Sequence, residues 1–332
     1  GTGVVLVLSG DGMLRNTFTI GDFSLFVSYL QNISSLTTFF GMLLVRYKQL
    51  GVSIDRMQNL MEGASPDALI KPGPVYIKHD PPRISQPHKT PGDVLHTLDA
   101  YNLYYHYPGS LHGIENIILN IKKGTLTVIT GRIGSGKTTL LRVLLGLLPM
   151  DAGEILWNGT RVNQPDKFFL PPRCAYTAQV PNLFSQSLRE NILLGLRTDE
   201  NAVQDAVYRA VLETDIVDLE KGLDTPVGPR GVKLSGGQVQ RTAAARMFVR
   251  NTELIVFDDL SSALDIETEK MLWDRLFSRE TITCLAVSHR HFTLEKADHI
   301  VVMKDGTIAD QGQLAELLVR SDEMRDIWTS GL

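Results

Sequence analysis

A glycine-rich segment at residues 131–138 constrains the fold of this chain more than any other feature. The segment fits GxxxxGK[ST] at every fixed position, follows the β-branched run 126–130 and precedes the helix-like run 139–148. Glycines let the backbone curl so that successive N–H groups and a helix N-terminus face a phosphate. In this strand-to-helix context the pattern predicts a phosphate-binding loop. The candidate nucleotide-contacting residues are Gly131, Arg132, Ile133, Gly134, Ser135, Gly136, Lys137, Thr138 and Thr139.

Two consecutive carboxylates follow another apolar strand. The run 254–257 ends in Asp258 and Asp259, and ligands in α/β sheets bind at the carboxyl ends of strands. Together with the phosphate loop, this position predicts that Asp258 and the Thr138 hydroxyl hold Mg²⁺ and that Asp259 orients or deprotonates the attacking water. Lys137 then reaches the β- and γ-phosphates of ATP. Taken alone, an apolar run ending in two aspartates is more often an ordinary strand and loop.

The residues after position 98 alternate between two periodicities. Short β-branched runs are followed by helical periods, which predicts an α/β fold with a mainly parallel sheet flanked by helices. The strand candidates are 126–130, 254–257 and 283–287, and the helix candidates are 137–145 and 267–277.

Charge and cysteine usage exclude two further kinds of site. Lys and Arg number 33 against 37 Asp and Glu, a formal net charge of -4 without a long single-sign run, so a nucleic-acid-binding surface is not indicated. Cys174 and Cys284 lie in apolar stretches and have neither zinc nor redox spacing. We therefore expect both cysteines to be reduced core residues.

An uncharged segment near the start of the chain has a different character. From Phe23 to Val45 there are 23 consecutive residues without a charge, which is long enough to cross a bilayer as a helix. Basic residues follow at Arg46 and Lys48, as expected at a cytoplasmic exit. Polar residues interrupt the run, so a soluble amphipathic helix is the alternative. We expect residues 1–60 to be part of a transmembrane domain, in a chain cut from a longer protein.

The segment Leu234-Ser235-Gly236-Gly237-Gln238 narrows the family. Ser235 and Gln238 have the S-x-x-Q spacing of a capping box, which predicts the start of a helix and also suits a phosphate. The segment resembles the signature motif of ABC ATPases at every position. The resemblance implies that Ser235, Gly236, Gly237 and Gln238 serve the γ-phosphate bound by an opposite subunit, so that two such domains sandwich two ATP molecules.

Other residues resemble elements of the same family in the expected order. Tyr107 resembles the aromatic residue that stacks on adenine, although three other tyrosines lie within six residues of it. Gln179 resembles the Q-loop glutamine, which implies contact with Mg²⁺ and with the attacking water. The segment 262–265 resembles the D-loop of the dimer interface. His289 resembles the switch histidine, which implies contact with the γ-phosphate.

The surroundings of Gln179 resemble those of exporters over residues 179–192. Residues 225–231 stand where exporters have a coupling X-loop, although Pro229 replaces the usual acidic residue. The resemblance implies a P-loop NTPase fold with an ABC-type nucleotide-binding domain at 98–332. A helical subdomain is expected at about 180–234, and an all-α transmembrane segment precedes the domain. Between them, residues 61–97 hold seven of the 15 prolines and are predicted to form a linker.

The resemblance thus implies an ATP-binding and ATP-hydrolysing subunit of an exporter-type half-transporter. Such a subunit is a multi-pass protein of the inner or plasma membrane, with its nucleotide-binding domain in the cytoplasm. ATP and Mg²⁺ are the expected cofactors, and a second ABC subunit is the expected partner. Active family members usually carry Glu at position 259, so the shorter Asp259 predicts slow hydrolysis and pairing in a heterodimer rather than a homodimer.

Two alternatives remain open from the sequence. A soluble ABC ATPase acting on nucleic acids or ribosomes would use residues 23–45 as a buried or partner-binding helix. An ATP-binding regulatory partner with little hydrolysis would also explain Asp259. The absence of basic clusters and of long heptads between the two nucleotide motifs disfavours the first alternative.

Overall fold

The computed structural model describes residues 19–61, 65–73, 89–228, 232–278 and 282–330, together with isolated positions before residue 19. Two compact units make up the chain, Gly1–Arg83 and Ile84–Leu332. Residues 62–64 and 74–88 of the predicted linker, and residues 229–231 of the predicted X-loop, lie outside the described residues.

The first unit contains a long helix, α1 (Ile20–Leu60), of 41 residues. Its first turn is closed by a capping box, in which Asp22 N–H donates to Thr19 Oγ1 and Thr19 N–H donates to Asp22 Oδ2. The predicted span 23–45 lies inside this helix, which continues well beyond the predicted end.

Within the described part of the chain, no helix is both long and apolar enough to cross a membrane. The spanning helix at 23–45 stays a prediction. Hydroxyl and amide side chains lower the hydropathy of this run over its first two thirds. These residues are Ser24, Ser28, Gln31, Asn32, Ser34, Ser35, Thr37 and Thr38.

The second unit is built on a six-stranded sheet in the order β10-β9-β3-β8-β7-β6. The pairs from β9 to β6 are all parallel, and only β10 runs antiparallel to its neighbour β9. The prediction of a mainly parallel sheet is confirmed. The strands are β3 (Leu126–Gly131), β6 (Cys174–Thr177), β7 (Leu254–Asp258), β8 (Thr283–Val287), β9 (His299–Lys304) and β10 (Thr307–Gly312).

A second, antiparallel sheet was not predicted. It has four strands in the order β2-β1-β4-β5, and its buried residues pack into the same hydrophobic cluster as one face of the parallel sheet. The strands are β1 (Thr97–His106), β2 (Gly113–Lys122), β4 (Ala152–Trp157) and β5 (Thr160–Arg161).

Helices cover the parallel sheet, and a group of short helices occupies the region between β6 and β7. That group lies within residues 180–234, where a helical subdomain is predicted. The helices are α2 (Lys137–Leu144), α3 (Pro165–Phe168), α4 (Leu188–Leu193), α5 (Glu200–Arg209), α6 (Glu213–Val217), α7 (Gly236–Phe248), α8 (Ile266–Phe277), α9 (His291–Lys296), α10 (Leu314–Arg320) and α11 (Asp322–Ser330).

The two cysteines lie inside this layered core. Cys174 on β6 and Cys284 on β8 are buried and unbridged, as expected. Burial raises the pKa of both thiols, so they remain protonated packing residues.

Candidate nucleotide site

The predicted phosphate loop joins strand β3, which is buried along its whole length, to helix α2. Gly131, Gly134 and Gly136 have positive φ angles of 150°, 83° and 99°. A Cβ atom at Gly131 would also overlap the Met303 carbonyl oxygen. These positions therefore require glycine. Helix α2 begins without a side-chain cap, which leaves the N–H groups of its first turn without a capping side chain among the described residues.

Lys137 reaches back across the loop from the first position of α2. Its ammonium donates to the carbonyl oxygens of Gly131 at 2.7 Å and Arg132 at 2.8 Å. Burial lowers the pKa of Lys137, while the nearby carboxylates of Asp259 and Asp258 act in the opposite direction. The cation is thus held over the loop, between the backbone and the acidic pair.

Asp258, at the end of β7, is joined to α2 through Thr138. The Thr138 hydroxyl donates to Asp258 Oδ1 at 3.0 Å, and the Tyr176 hydroxyl donates to Oδ2 at 3.5 Å. Burial raises the pKa of Asp258, against the lowering effect of the Thr138 hydrogen bond and the Arg142 charge. Tyr176 and Arg142 were not singled out from the sequence. Of these two residues, only Arg142 could have been identified from the sequence, because it lies four residues after Thr138 on the same helix face.

Asp259 and Gln179 meet beside this cluster. Gln179 Nε2 donates to Asp259 Oδ2 at 3.2 Å, across 80 residues of chain. The Asp259 backbone has φ +55°, and its N–H donates to the Val287 carbonyl of the neighbouring strand at 3.2 Å. The left-handed conformation is several-fold more common for Asp than for most other residues with a side chain. The position therefore suits the aspartate found in this chain.

The donor set fits Mg²⁺. Thr138 and Asp258 present a hydroxyl and a carboxylate oxygen at one point, and the Gln179 amide contacts the adjacent carboxylate of Asp259. Among the described residues, no group of three or more His, Cys, Asp or Glu side chains could hold a metal ion by itself. Magnesium is typically bound by one or two carboxylates together with phosphate oxygens of the substrate. It rarely has ligands that all come from the protein.

Tyr107 lies at the other end of the loop. A cavity of about 620 Å³ extends from the tyrosine to the start of α2 and is lined by Lys137, Thr138 and Thr139. The Tyr107 hydroxyl lies 3.2 Å from the Thr139 hydroxyl oxygen. The cavity falls within the size range of small-molecule sites. Its rim also includes Glu115, which the sequence reading did not identify.

His289 follows β8 by two residues, at the same edge of the sheet as Asp258. The backbone N–H of the preceding residue, Ser288, donates to Ile129 O on β3 at 3.1 Å, which ties this segment to the strand before the loop. Within the described part of the chain, no hydrogen bond joins the His289 ring to the other predicted site residues. The ring lines a separate cavity of about 600 Å³ together with Glu269 and Arg290.

The signature segment forms the start of α7. Ser235 Oγ accepts from Gln238 N–H at 3.3 Å, and Gln238 Oε1 accepts from Ser235 N–H at 2.9 Å, so the capping box is present as predicted. Gln238 Nε2 donates to Asp215 at 2.9 Å. A Cβ atom at Gly237 would lie 3.0 Å from the Ala263 carbonyl oxygen. The segment therefore packs closely on the predicted D-loop. The side chain of Ser262 in that loop lies outside the described part of the structure.

Known proteins share the sequence and the fold of this chain. Residues 114–262 match the family profile described as ABC transporter. The chain is 32% identical over 95% of its length to the probable multidrug resistance ABC transporter ATP-binding/permease protein YheI of Bacillus subtilis, covering 52% of that protein. It is 30% identical over 96% of its length to the mitochondrial iron-sulfur clusters transporter ATM1 of Saccharomyces cerevisiae, covering 45% of it.

A solved structure of a bacterial Atm1-family ABC exporter with ATP bound superposes on 99% of this chain and 56% of its own, with a TM-score of 0.71 and 24% identity. That likeness establishes the fold. The chain carries the ATP-binding domain of the ABC transporter family, and its relatives include ABC exporters. It spans about half the length of the relatives named here.

Proposed function

We propose that the chain is the ATP-binding and ATP-hydrolysing part of an ABC exporter, in which ATP closes a pair of such domains and hydrolysis reopens them. The observation that carries the proposal is the cluster formed by Lys137, Thr138, Asp258, Asp259 and Gln179. These residues come from three separate segments and meet at one edge of the parallel sheet. Each group suits one part of a nucleoside triphosphate or of the attacking water.

The roles follow from the chemistry of each group. Lys137 supplies a cation for the β- and γ-phosphates, and the uncapped turn of α2 supplies N–H donors. Asp259 accepts a proton from the attacking water or orients that water, while Gln179 holds the carboxylate in place. Thr138 and Asp258 would hold Mg²⁺, which supplies charge neutralisation on the phosphates. Tyr107 offers an aromatic face for the adenine ring.

A second subunit completes the proposal. The residues Ser235 to Gln238 form a rigid, capped helix start that does not line the cavity beside Lys137. The same segment on an opposing domain would complete the γ-phosphate site, with His289 contributing from the first domain. We propose a heterodimer, because Asp259 leaves one of the two composite sites with a shortened carboxylate.

Export across a cell membrane is the transport step that we propose. One relative is described as an ATP-binding/permease protein and another as a clusters transporter, and the chain matches only about half of each. The nucleotide-binding domain would lie in the cytoplasm, where ATP is available. Motion would reach the membrane part through the segment that follows Gln179.

A regulatory role with little hydrolysis is the second candidate, and Asp259 favours it. The side chain is one methylene shorter than Glu, roughly 1.3 to 1.5 Å of reach, and a misplacement of about 1 Å can cost on the order of a hundredfold in rate. The site would then bind ATP well and turn it over slowly.

Both candidate functions can be tested by measuring ATP binding and ATP hydrolysis on the same purified protein. We expect the protein to bind ATP and to release phosphate slowly, and we expect Lys137→Ala to weaken the binding on the order of a hundredfold. Asp259→Glu should raise the hydrolysis rate about tenfold or more, since the carboxylate regains its reach. Asp259→Asn is the matched control, because it keeps the size and the backbone preference but removes the charge, and it should stop the residual hydrolysis.

Two results would contradict parts of this proposal. Fast hydrolysis by the unpaired protein, unchanged by Asp259→Glu, would exclude a weakened site. Failure to bind ATP at millimolar concentration would exclude the motor function itself.

A further inference from the structure

Helix α11 places two carboxylates on the side chain of Arg132, the second residue of the phosphate loop. Arg132 Nε lies 2.7 Å from Glu323 Oε1, and Arg132 Nη2 lies 2.7 Å from Asp326 Oδ2. The two acidic residues are three positions apart and so share one face of the helix. The guanidinium is therefore held by a helix that lies 194 residues further along the chain.

Glu323 is the buried member of this contact. Its side chain is only 5% exposed, and its second oxygen, Oε2, lies 3.2 Å from Lys304 Nζ. Lys304 ends strand β9, next to the Met303 carbonyl that leaves no room for a Cβ at Gly131. One buried carboxylate thus joins the phosphate loop to the strand on which the loop rests. Removing the charge of a buried carboxylate leaves its partners uncompensated.

The contact reaches the predicted phosphate-binding group through one backbone carbonyl. The Arg132 oxygen accepts a hydrogen bond from Lys137 Nζ at 2.8 Å and another from Ser135 N–H at 3.1 Å. When Glu323 holds the Arg132 side chain, this carbonyl is held as well. Glu323 is thus connected to Lys137 through Arg132, by the Arg132 side chain on one side and its carbonyl oxygen on the other.

The same helix also holds the segment that follows β8. The His291 and Trp328 rings are stacked, with centroids 4.0 Å apart and planes 15° apart. His291 Nε2–H donates to the Trp328 carbonyl oxygen at 2.9 Å. His291 lies two residues after His289, so α11 contacts both segments that carry predicted γ-phosphate ligands.

We infer that Glu323 is a positioning residue for the nucleotide, acting through Arg132 to keep the phosphate loop and Lys137 in the shape that receives ATP. The inference rests on the proposed binding of ATP by this loop. A loop that is ordered before the ligand arrives binds more tightly than one that must be ordered on binding. Loss of Glu323 should therefore weaken ATP binding more than it slows turnover at saturating ATP.

Titration of the full chain with a fluorescent ATP analogue, displaced by ATP, tests this inference. Glu323→Gln should weaken binding about fivefold, and Asp326→Asn about twofold because that residue is exposed. Asp322→Asn is the matched control, since it removes an acidic residue of the same helix that is 92% exposed and pairs with Arg325. The control should bind ATP like the parent protein.

A double substitution separates positioning from a general loss of structure. Arg132→Gln combined with Glu323→Gln should bind ATP no more weakly than Arg132→Gln alone, because both act on one contact. Additive losses, or parental affinity in Glu323→Gln, would overturn the inference while leaving ATP binding intact. If Glu323→Gln does not fold, the exposed Asp326→Asn carries the test, and parental affinity there has the same meaning. Loss of ATP binding by the parent protein would instead overturn the proposed function, and this inference with it.

Discussion

Glycines lie at the start of both α2 and α7, as the cap residue Gly136 of α2 and as the first two residues of α7, yet only α7 has a side-chain cap. At α7 the Ser235 and Gln238 side chains bond each other's backbone N–H groups, and Gln238 is also bonded to Asp215. At α2 the cap position is Gly136 in the left-handed conformation, with no side-chain hydrogen bond. The first turn of α2 is instead faced by the Lys137 ammonium and by a cavity.

The difference indicates two ways of presenting a helix N-terminus to a phosphate. The turn of α2 needs a ligand from solution to satisfy its donors, whereas the turn of α7 is already stable without one. The first arrangement suits binding by a single chain. The second suits a surface that docks, already formed, against a nucleotide held by another domain.

The largest expected effect comes from removing the cation at the start of α2. Lys137→Ala should weaken ATP binding on the order of a hundredfold, because charge-assisted hydrogen bonds to the phosphates are lost. Lys233→Ala removes an exposed lysine just before the signature segment and should leave affinity unchanged. The ATP affinities of both variants should be measured at equilibrium. Equal losses of affinity would show that the two helix starts do not differ as described.

Glycine-to-alanine substitutions near the starts of α2 and α7 should have different effects on stability. Gly131→Ala should destabilise the protein by about 2 to 3 kcal/mol, since the backbone conformation is accessible mainly to glycine and the Cβ would overlap Met303. Gly237→Ala should change stability by less than about 1 kcal/mol, because improved helix propensity offsets the 3.0 Å contact with Ala263. Urea unfolding of the two variants gives both numbers, and the reverse order would contradict this account.

The capping residue of α7 allows structure and function to be separated. Ser235→Ala should cost about 1 kcal/mol of stability, whereas Ser235→Asp should keep the cap. The aspartate places a negative charge where an opposing γ-phosphate is expected, so it should abolish hydrolysis by the paired domains. Thermal unfolding and ATPase measurements on both variants are required. An active, stable Ser235→Asp protein would exclude a role for this segment at a phosphate.

The smallest expected effect concerns Tyr107, which touches the first turn of α2. Tyr107→Phe removes the contact with Thr139 but keeps the aromatic face, so ATP affinity should fall only about twofold. Tyr101→Phe changes an exposed tyrosine of β1 and serves as the control. A loss of affinity larger than about tenfold would mean that the hydroxyl itself recognises the base.

Local features of the site could be predicted because neighbouring residues create them. The capping box at Ser235, the loop before Lys137 and the strand that ends at Asp258 each depend on contacts within a few positions of the chain. The run of uncharged residues was a less reliable guide to structure than these local patterns. Counting uncharged residues from 23 to 45 overestimated the apolar character of helix α1, because hydroxyl and amide groups carry no charge but are still polar.

By itself, the sequence determined the parallel sheet, the phosphate loop, the capped start of α7 and the two buried cysteines, since periodicity and short-range hydrogen bonding specify these features. Only the tertiary structure decided what Tyr176 and Arg132 contact. Tyr176 bonds Asp258 across 82 residues, and Arg132 bonds Asp326 across 194. Such pairs depend on how strands and helices pack, and residue order alone does not specify that packing. The antiparallel sheet that carries Tyr107 close to α2 was decided in the same way.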